Sequence, residues 1–211
     1  MSRLLFSNRR TAKKLRGLQG VRVNIGCGSN PTHGWVNLDM TSGPHVVCWD
    51  CRKGLPFKDG AVKAIFTEHF VEHLEYPGEV GRFLTECRRC LNEAGVLRII
   101  VPDIEPYLRL YADGDWEGLA AMRPLTQTSD GYKDFWLDGS YSTKMEFINA
   151  LFRQSGEHKY AYDAETLMAL LRRSGFSNVT RKDFGVSADP LMAPDTPARR
   201  TESLYVEASK N

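Results

Sequence analysis

The chain has 211 residues, 42% of them hydrophobic and 26% charged, an ordinary globular composition with enough apolar residues to bury one sizeable core. No apolar run approaches the length of a membrane span. A formal net charge of +2 argues against a dedicated nucleic-acid binder. The charge is nevertheless uneven. The first acidic residue is Asp39, and Arg3, Arg9, Arg10, Lys13, Lys14, Arg16 and Arg22 precede it. The opening reads as a basic surface helix over about residues 1–20. Ser7 or Asn8 stands at its cap, and Ala12, Leu15 and Leu18 share one face. The same acid-free composition is found in organellar transit peptides, whereas "MSRLLF" is too short for a secretory signal.

The hydrophobic pattern then alternates between strand and helix. "VRVNIG" (Val21–Gly26) predicts a buried strand running into glycine. "WVNLD" (Trp35–Asp39), "HVVCW" (His45–Trp49) and "AVKAIFT" (Ala61–Thr67) predict three more. A helix is expected over Gly78–Gly95, because Val80, Phe83, Leu84, Cys87 and Leu91 recur at three- and four-residue intervals and Gly95 can stop the run. "VLRIIVP" (Val96–Pro102) is the fifth strand. Asp163–Phe176 reads as a helix with Asp163 as N-cap and Gly175 at its end. Strands follow near Val179–Val186 and Ser203–Ala208, joined by a loop carrying Pro190, Pro194 and Pro197, so they should pair antiparallel. The alternation predicts one domain over 1–211, an open and mostly parallel sheet with helices on its faces.

Between the fifth strand and the Asp163 helix lies an aromatic-rich segment, 104–159, with Tyr107, Tyr111, Trp116, Tyr132, Phe135, Trp136, Tyr141, Phe147 and Phe152. It leaves the sheet at the carboxyl edge, where open α/β sheets bind ligands. We read it as a helical lid over a site. The plainer alternative is a small satellite core, since aromatics are large apolar groups first.

Five cysteines, Cys27, Cys48, Cys51, Cys87 and Cys90, are an odd number with no secretion signal. That favours reduced thiols in a cytosol-like compartment. Two C-x-x-C pairs are present, but zinc ribbons separate their pairs by roughly 15–20 residues. Here the pairs stand farther apart, and Cys87 and Cys90 fall inside an amphipathic helix.

"VNIGCGSN" carries the most information. A strand runs into Gly26-x-Gly28, and glycines let backbone N–H groups turn tightly and approach a ligand. A dinucleotide fingerprint needs a third glycine, where Pro31 stands, and an acid about 20 residues on. Asp39 comes sooner than that, and its carboxylate can accept from both hydroxyls of a ribose. Asp50, after the third strand, is placed to meet an adenine amino group.

These blocks, "VNIGCG" (Val23–Gly28), "GWVNLD" (Gly34–Asp39), "LPFKDG" (Leu55–Gly60), "EHFVEHL" (Glu68–Leu74), "ECRRCLNEAGVLRIIVPD" (Glu86–Asp103) and "EHKYAYDAETLMALLRRSGF" (Glu157–Phe176), occur in order. Together they resemble the class I S-adenosylmethionine-dependent methyltransferases, in particular the small bacterial, type 11-like branch. The resemblance covers roughly Val21–Pro102 and Gly156–Ala208. It implies a Rossmann-like open twisted sheet of seven mostly parallel strands with the last antiparallel, and S-adenosyl-L-methionine as cofactor. Carried over by position, Gly26 and Gly28, with Asn24 and Cys27 in the same turn, would lie against the methionine part. Asp39, followed by Met40, would hold the ribose. Asp50, with Cys51 or Trp49 beside it, would meet the adenine. Glu68 and His69 would border the methyl donor. The chain departs from the wider family in having Asn24 where an acid is common, and little room for a full first helix.

"HFVEH" also fits H-x-x-E-H, which in some metallopeptidases places two histidines on zinc with the glutamate as base. A zinc hydrolase using His69, Glu72 and His73 is therefore an alternative. In the methyltransferase frame the same letters belong to a block with no metal, and no metal is expected. Methyl transfer needs a base only when the acceptor is protonated. His69, His73 and His158 are the candidates, since imidazole titrates near neutrality. Resemblance to the small bacterial branch suggests a small-molecule, sugar or glycolipid acceptor methylated at oxygen. A nucleic-acid acceptor would suit the basic start, but the sequence has no stacking-plus-basic motif. A non-catalytic cofactor- or partner-binding subunit of the same fold is the other alternative, and the presence of both Asp39 and Asp50 argues against it.

Overall fold

A computed structural model of the chain describes residues 10–115, 117–119, 142–192 and 194–211. Its centre is a seven-stranded sheet: β1 (Val21–Ile25), β2 (Val36–Asp39), β3 (Val46–Cys48), β4 (Val62–Glu68), β5 (Leu91–Pro102), β6 (Ser177–Lys182) and β7 (Ser203–Ser209), in the order β3-β2-β1-β4-β5-β7-β6. The first five are mutually parallel, and β7 runs antiparallel to both β5 and β6. The expected Rossmann-like sheet is thus present. The helices are α1 (10–16), α2 (Gly78–Cys90), α3 (Glu105–Asp113), α4 (Lys144–Arg153) and α5 (Ala164–Arg173). No helix among the described residues is long and apolar enough to cross a membrane.

Side-chain alternation along the strands divides the core in two. Ile65, Leu97, Ile99, Leu204 and Val206 point to one face and pack with Leu15 of α1, Val80, Phe83 and Leu84 of α2, and Leu167, Leu170 and Leu171 of α5. Their neighbours Ala64, Phe66, Ile100 and Tyr205 point to the other, against Met192, Trp35 and Phe184. That second face also holds a fully buried arginine. Arg98 donates to Asp195 at 3.0 and 2.5 Å and to Glu207 at 2.9 Å. One guanidinium thereby gives both buried carboxylates a charge-assisted partner.

Two boundaries differ from expectation. Helix α2 ends at Cys90 rather than Gly95, and Leu91 already belongs to β5. The carbonyls that a longer helix would use are taken from outside: Gly60 N–H donates to Arg89 O at 3.0 Å and Lys210 Nζ to Leu91 O at 2.9 Å. Strand β6 stops at Lys182 instead of Val186, and a turn with left-handed Gly185 follows. The capping residues Ser7 and Asn8, and the aromatics Trp116, Tyr132, Phe135, Trp136 and Tyr141, lie outside the described residues. Of the remaining aromatics, Tyr107, Tyr111, Phe147 and Phe152 pack with Leu119, Ile148 and Leu151 as a separate apolar cluster of α3 and α4.

Candidate active site

The parallel strands bring the ends of β1, β2, β3, β4 and β5 to one edge, the edge at which open α/β sheets bind ligands. The glycine turn leaves β1 there. Gly26 and Gly28 both have left-handed φ, +70° and +51°. A β carbon on Gly26 would come within 2.6 Å of the Phe70 β carbon, whereas one on Gly28 would meet nothing within 4 Å. Gly26 is therefore pressed against the exit of β4, and Gly28 faces open space.

Asp39 ends β2 directly opposite. Its Oδ2 accepts from Gly28 N–H at 2.8 Å and its Oδ1 from Thr41 N–H at 2.7 Å. Each carboxylate oxygen can accept twice, so both keep a lone pair for adjacent ribose hydroxyls. Together the open glycine turn and the fixed carboxylate suit the methionine and ribose parts of S-adenosylmethionine. Met40 follows, exposed beside the site. Cys27 is buried, and burial pushes its thiol up to about 11.

Asn24, where the resemblance leads one to expect an acid, braces the local loop. It is buried, and its amide donates to Thr32 Oγ1 at 3.1 Å and Asn30 O at 3.4 Å. It thereby ties down the loop after the glycine turn, which an acid could not do by donating. Asp50 caps the short 3-10 turn Cys51–Lys53 and accepts from Arg52 Nε at 2.8 Å. Hydrogen bonds from Arg52 hold its carboxyl below the usual carboxylate range. Cys51 is buried in the main core.

Glu68 ends β4. Its carboxylate accepts from Thr196 N–H at 3.0 Å and from the Thr196 hydroxyl at 2.5 Å, so it anchors the proline-rich loop. His69 comes next with φ +51°. Its Nε2 lies 2.8 Å from Ser203 Oγ and its Nδ1 3.6 Å from Glu72 Oε1. Glu72 sits in the 3-10 turn Val71–His73, 1% exposed, and burial pushes its carboxyl up to about 8. His73 Nε2 lies 4.0 Å from the same Glu72 oxygen, and its Nδ1 3.1 Å from Glu157 O. Burial lowers the His73 pKa. His158 packs edge-on to His73 with 5.0 Å between ring centres. Lys159 and Tyr160 N–H groups both donate to Glu72 O, at 2.7 and 3.2 Å, which docks that segment on the turn.

The three candidate imidazoles therefore gather around one buried carboxylate. H-x-x-E-H here is not a helical zinc motif: His69 precedes a single 3-10 turn, and His158 joins the group from a distant segment. The sequence pattern gave no sign of His158 closing on Glu72, nor of Phe70 walling the glycine turn. All five cysteines are free.

Residues 35–99 match the family described as a methyltransferase domain. None of the curated proteins compared with the chain matches it. Among solved structures, a SAM-dependent methyltransferase from Archaeoglobus fulgidus superposes with a TM-score of 0.51 at 17% identity, covering 99% of this chain and 94% of its own. A SAM-dependent methyltransferase from Thermotoga maritima, described as a possible histamine N-methyltransferase, gives 0.51 at 15% identity, covering 96% and 86%. These likenesses establish the fold, and the family match runs from just ahead of β2 into β5. Residues 35–99 thus carry a methyltransferase-domain match, and the chain has the fold of the S-adenosylmethionine-dependent methyltransferases.

Proposed function

We propose that this enzyme methylates a hydroxyl of a small-molecule, sugar or glycolipid acceptor by in-line displacement. The reading takes the chain as one methyltransferase domain whose segment 104–159 covers the acceptor. The observation that carries it is the gathering of His69, His73 and His158 next to the glycine turn: His69 adjoins Phe70, and Phe70 touches Gly26. A hydroxyl acceptor needs a proton acceptor in reach, and a cluster of imidazoles supplies one near neutral pH.

The bound cofactor supplies a methyl carbon on a positively charged sulfur. Asp39 would hold its ribose, and the glycine turn at Gly26 and Gly28 would hold the methionine part. With the methyl carbon so supplied, an acceptor oxygen would displace the sulfur, which would keep the C–S electron pair, and an imidazole of His69, His73 or His158 would take the hydroxyl proton. Much of the acceleration comes from holding the two reactants in line.

Thermal unfolding with S-adenosylhomocysteine tests the cofactor half. At ~100 times its dissociation constant the ligand adds ~2.7 kcal/mol, which raises the midpoint by roughly 5–10 °C for a chain of this size. Asp39→Ala is expected to lose that shift while remaining folded. An unshifted wild-type midpoint at saturating ligand would sink the reading. For the acceptor half, transfer of an isotope-labelled methyl group to candidate glycans, followed by NMR of the product, separates O-methylation from N-methylation.

A further inference from the structure

We propose that Glu72, His73 and His158 form a binding site for a divalent cation of the zinc or manganese class, at the carboxyl end of β4 beside the cofactor turn. Their ligand atoms, one carboxylate oxygen and two imidazole nitrogens, lie within 4.8 Å of one another. Two ligands sharing one ion at about 2.1 Å stand at most about 4.2 Å apart, so small side-chain rotations close the set. Imidazole plus carboxylate suits zinc, manganese or ferrous iron better than an all-oxygen cation.

Two independent features point to a ligand. First, Glu72 is 1% exposed, and neither carboxylate oxygen has a hydrogen-bond partner among the described residues. A buried carboxylate left so is costly without a proton or a cation. Second, His73 is oriented as a metal ligand. Its Nδ1 lies 3.1 Å from Glu157 O, a group that only accepts, so Nδ1 carries the proton and Nε2 presents a lone pair toward Glu72. With Glu72 ionised, acceptor then faces acceptor across 4.0 Å, and a shared cation or a proton on Glu72 must relieve it. A backbone carbonyl behind the second ring nitrogen is the usual support of a metal-bound histidine. Glu72 and His158 also border a small cavity of about 10 Å³ together with Asp103 and Tyr160. His73 is 35% exposed and opens the group to solvent.

The site does not make the chain a hydrolase. It rests on the methyltransferase reading only for its use, which would be to hold an acceptor oxygen near the transferred methyl group, leaving His69 to receive the proton.

The test strips the full chain with a chelator, then titrates it with manganese or zinc chloride, following heat of binding and thermal midpoint. S-adenosylhomocysteine is titrated separately. One equivalent of cation should bind, and at ~100 times the dissociation constant the midpoint should rise by roughly 5–10 °C. His158→Ala and the isosteric Glu72→Gln should each weaken binding at least about tenfold. His45→Ala, an exposed histidine ahead of β3 at the opposite edge, should not. In the unmodified protein, electron spin-echo spectra of bound manganese should show directly coupled imidazole nitrogen, which decides the matter even if a variant fails to fold. Absence of stoichiometric binding, or binding that survives both substitutions and lacks nitrogen coupling, overturns the site. A homocysteine-ligand shift without a cation shift removes the cation site alone. Loss of the homocysteine-ligand shift removes the methyltransferase reading instead.

Discussion

Gly26 and Gly28 share a left-handed backbone but not an environment, and their substitutions should separate. Alanine in that conformation costs roughly 1–2 kcal/mol. At Gly28 nothing stands within reach of the added carbon, so Gly28→Ala should lose about that much and no more. At Gly26 the new carbon meets the Phe70 β carbon at 2.6 Å, too close to the backbone for a rotamer change to relieve. Gly26→Ala should cost a further ~1–3 kcal/mol and abolish the homocysteine-ligand shift; denaturant unfolding of the two variants side by side measures the difference. The glycines and Asp39 were legible in the sequence because their chemistry is local, a turn followed by an acid at a strand end. The reason Gly26 is needed was not, since Phe70 arrives from the turn that follows β4. Asn24, expected at the cofactor, also braces the loop beyond the glycine turn, a role that depends on where Thr32 folds back.

Helix α5 shows what local sequence determines well. Asp163 Oδ1 accepts from Thr166 N–H at 2.8 Å, as the cap pattern predicts, and the helix ends just before left-handed Gly175. Asp163→Ala should cost about 1 kcal/mol and lower the midpoint by ~2–4 °C, while Asp163→Asn should retain most of it. Helix α2 shows the converse. Its apolar stripe was readable, but its end depends on Gly60, which reaches the Arg89 carbonyl, and on Lys210, which takes that of Leu91 just beyond it, both from remote parts of the chain. Propensity alone would have carried the helix on to Gly95.

Across the molecule, strand alternation disclosed the parallel sheet and the antiparallel finish, yet not the charge buried behind it. Arg98 sits in the centre of the hydrophobic fifth strand, and the strand pattern says nothing of its partners. Arg98 holds Asp195 and Glu207 on the second face and stacks on Tyr205 at 5.4 Å. Arg98→Met should cost about 3–5 kcal/mol by leaving two buried carboxylates without a cation, a midpoint drop of roughly 6–20 °C. Replacing Arg98, Asp195 and Glu207 together with apolar residues should cost less than the single change; calorimetry of both proteins distinguishes pairing from packing.

The strand order has a further effect on how the enzyme is made. β7 lies between β5 and β6, yet translation reaches it after every other strand. Until then β5 offers its whole run from Val96 to Pro102 as an unpaired edge, and such edges recruit other chains. At about 5–20 residues per second, the stretch from Pro102 to Ser203 occupies the ribosome for on the order of 5–20 s. During that time the five parallel strands end in an open edge at β5. Chaperone protection in this interval, rather than the stability of the finished fold, would then limit the yield of active enzyme. A message truncated ahead of Ser203 would give an aggregating chain, not a partly active one.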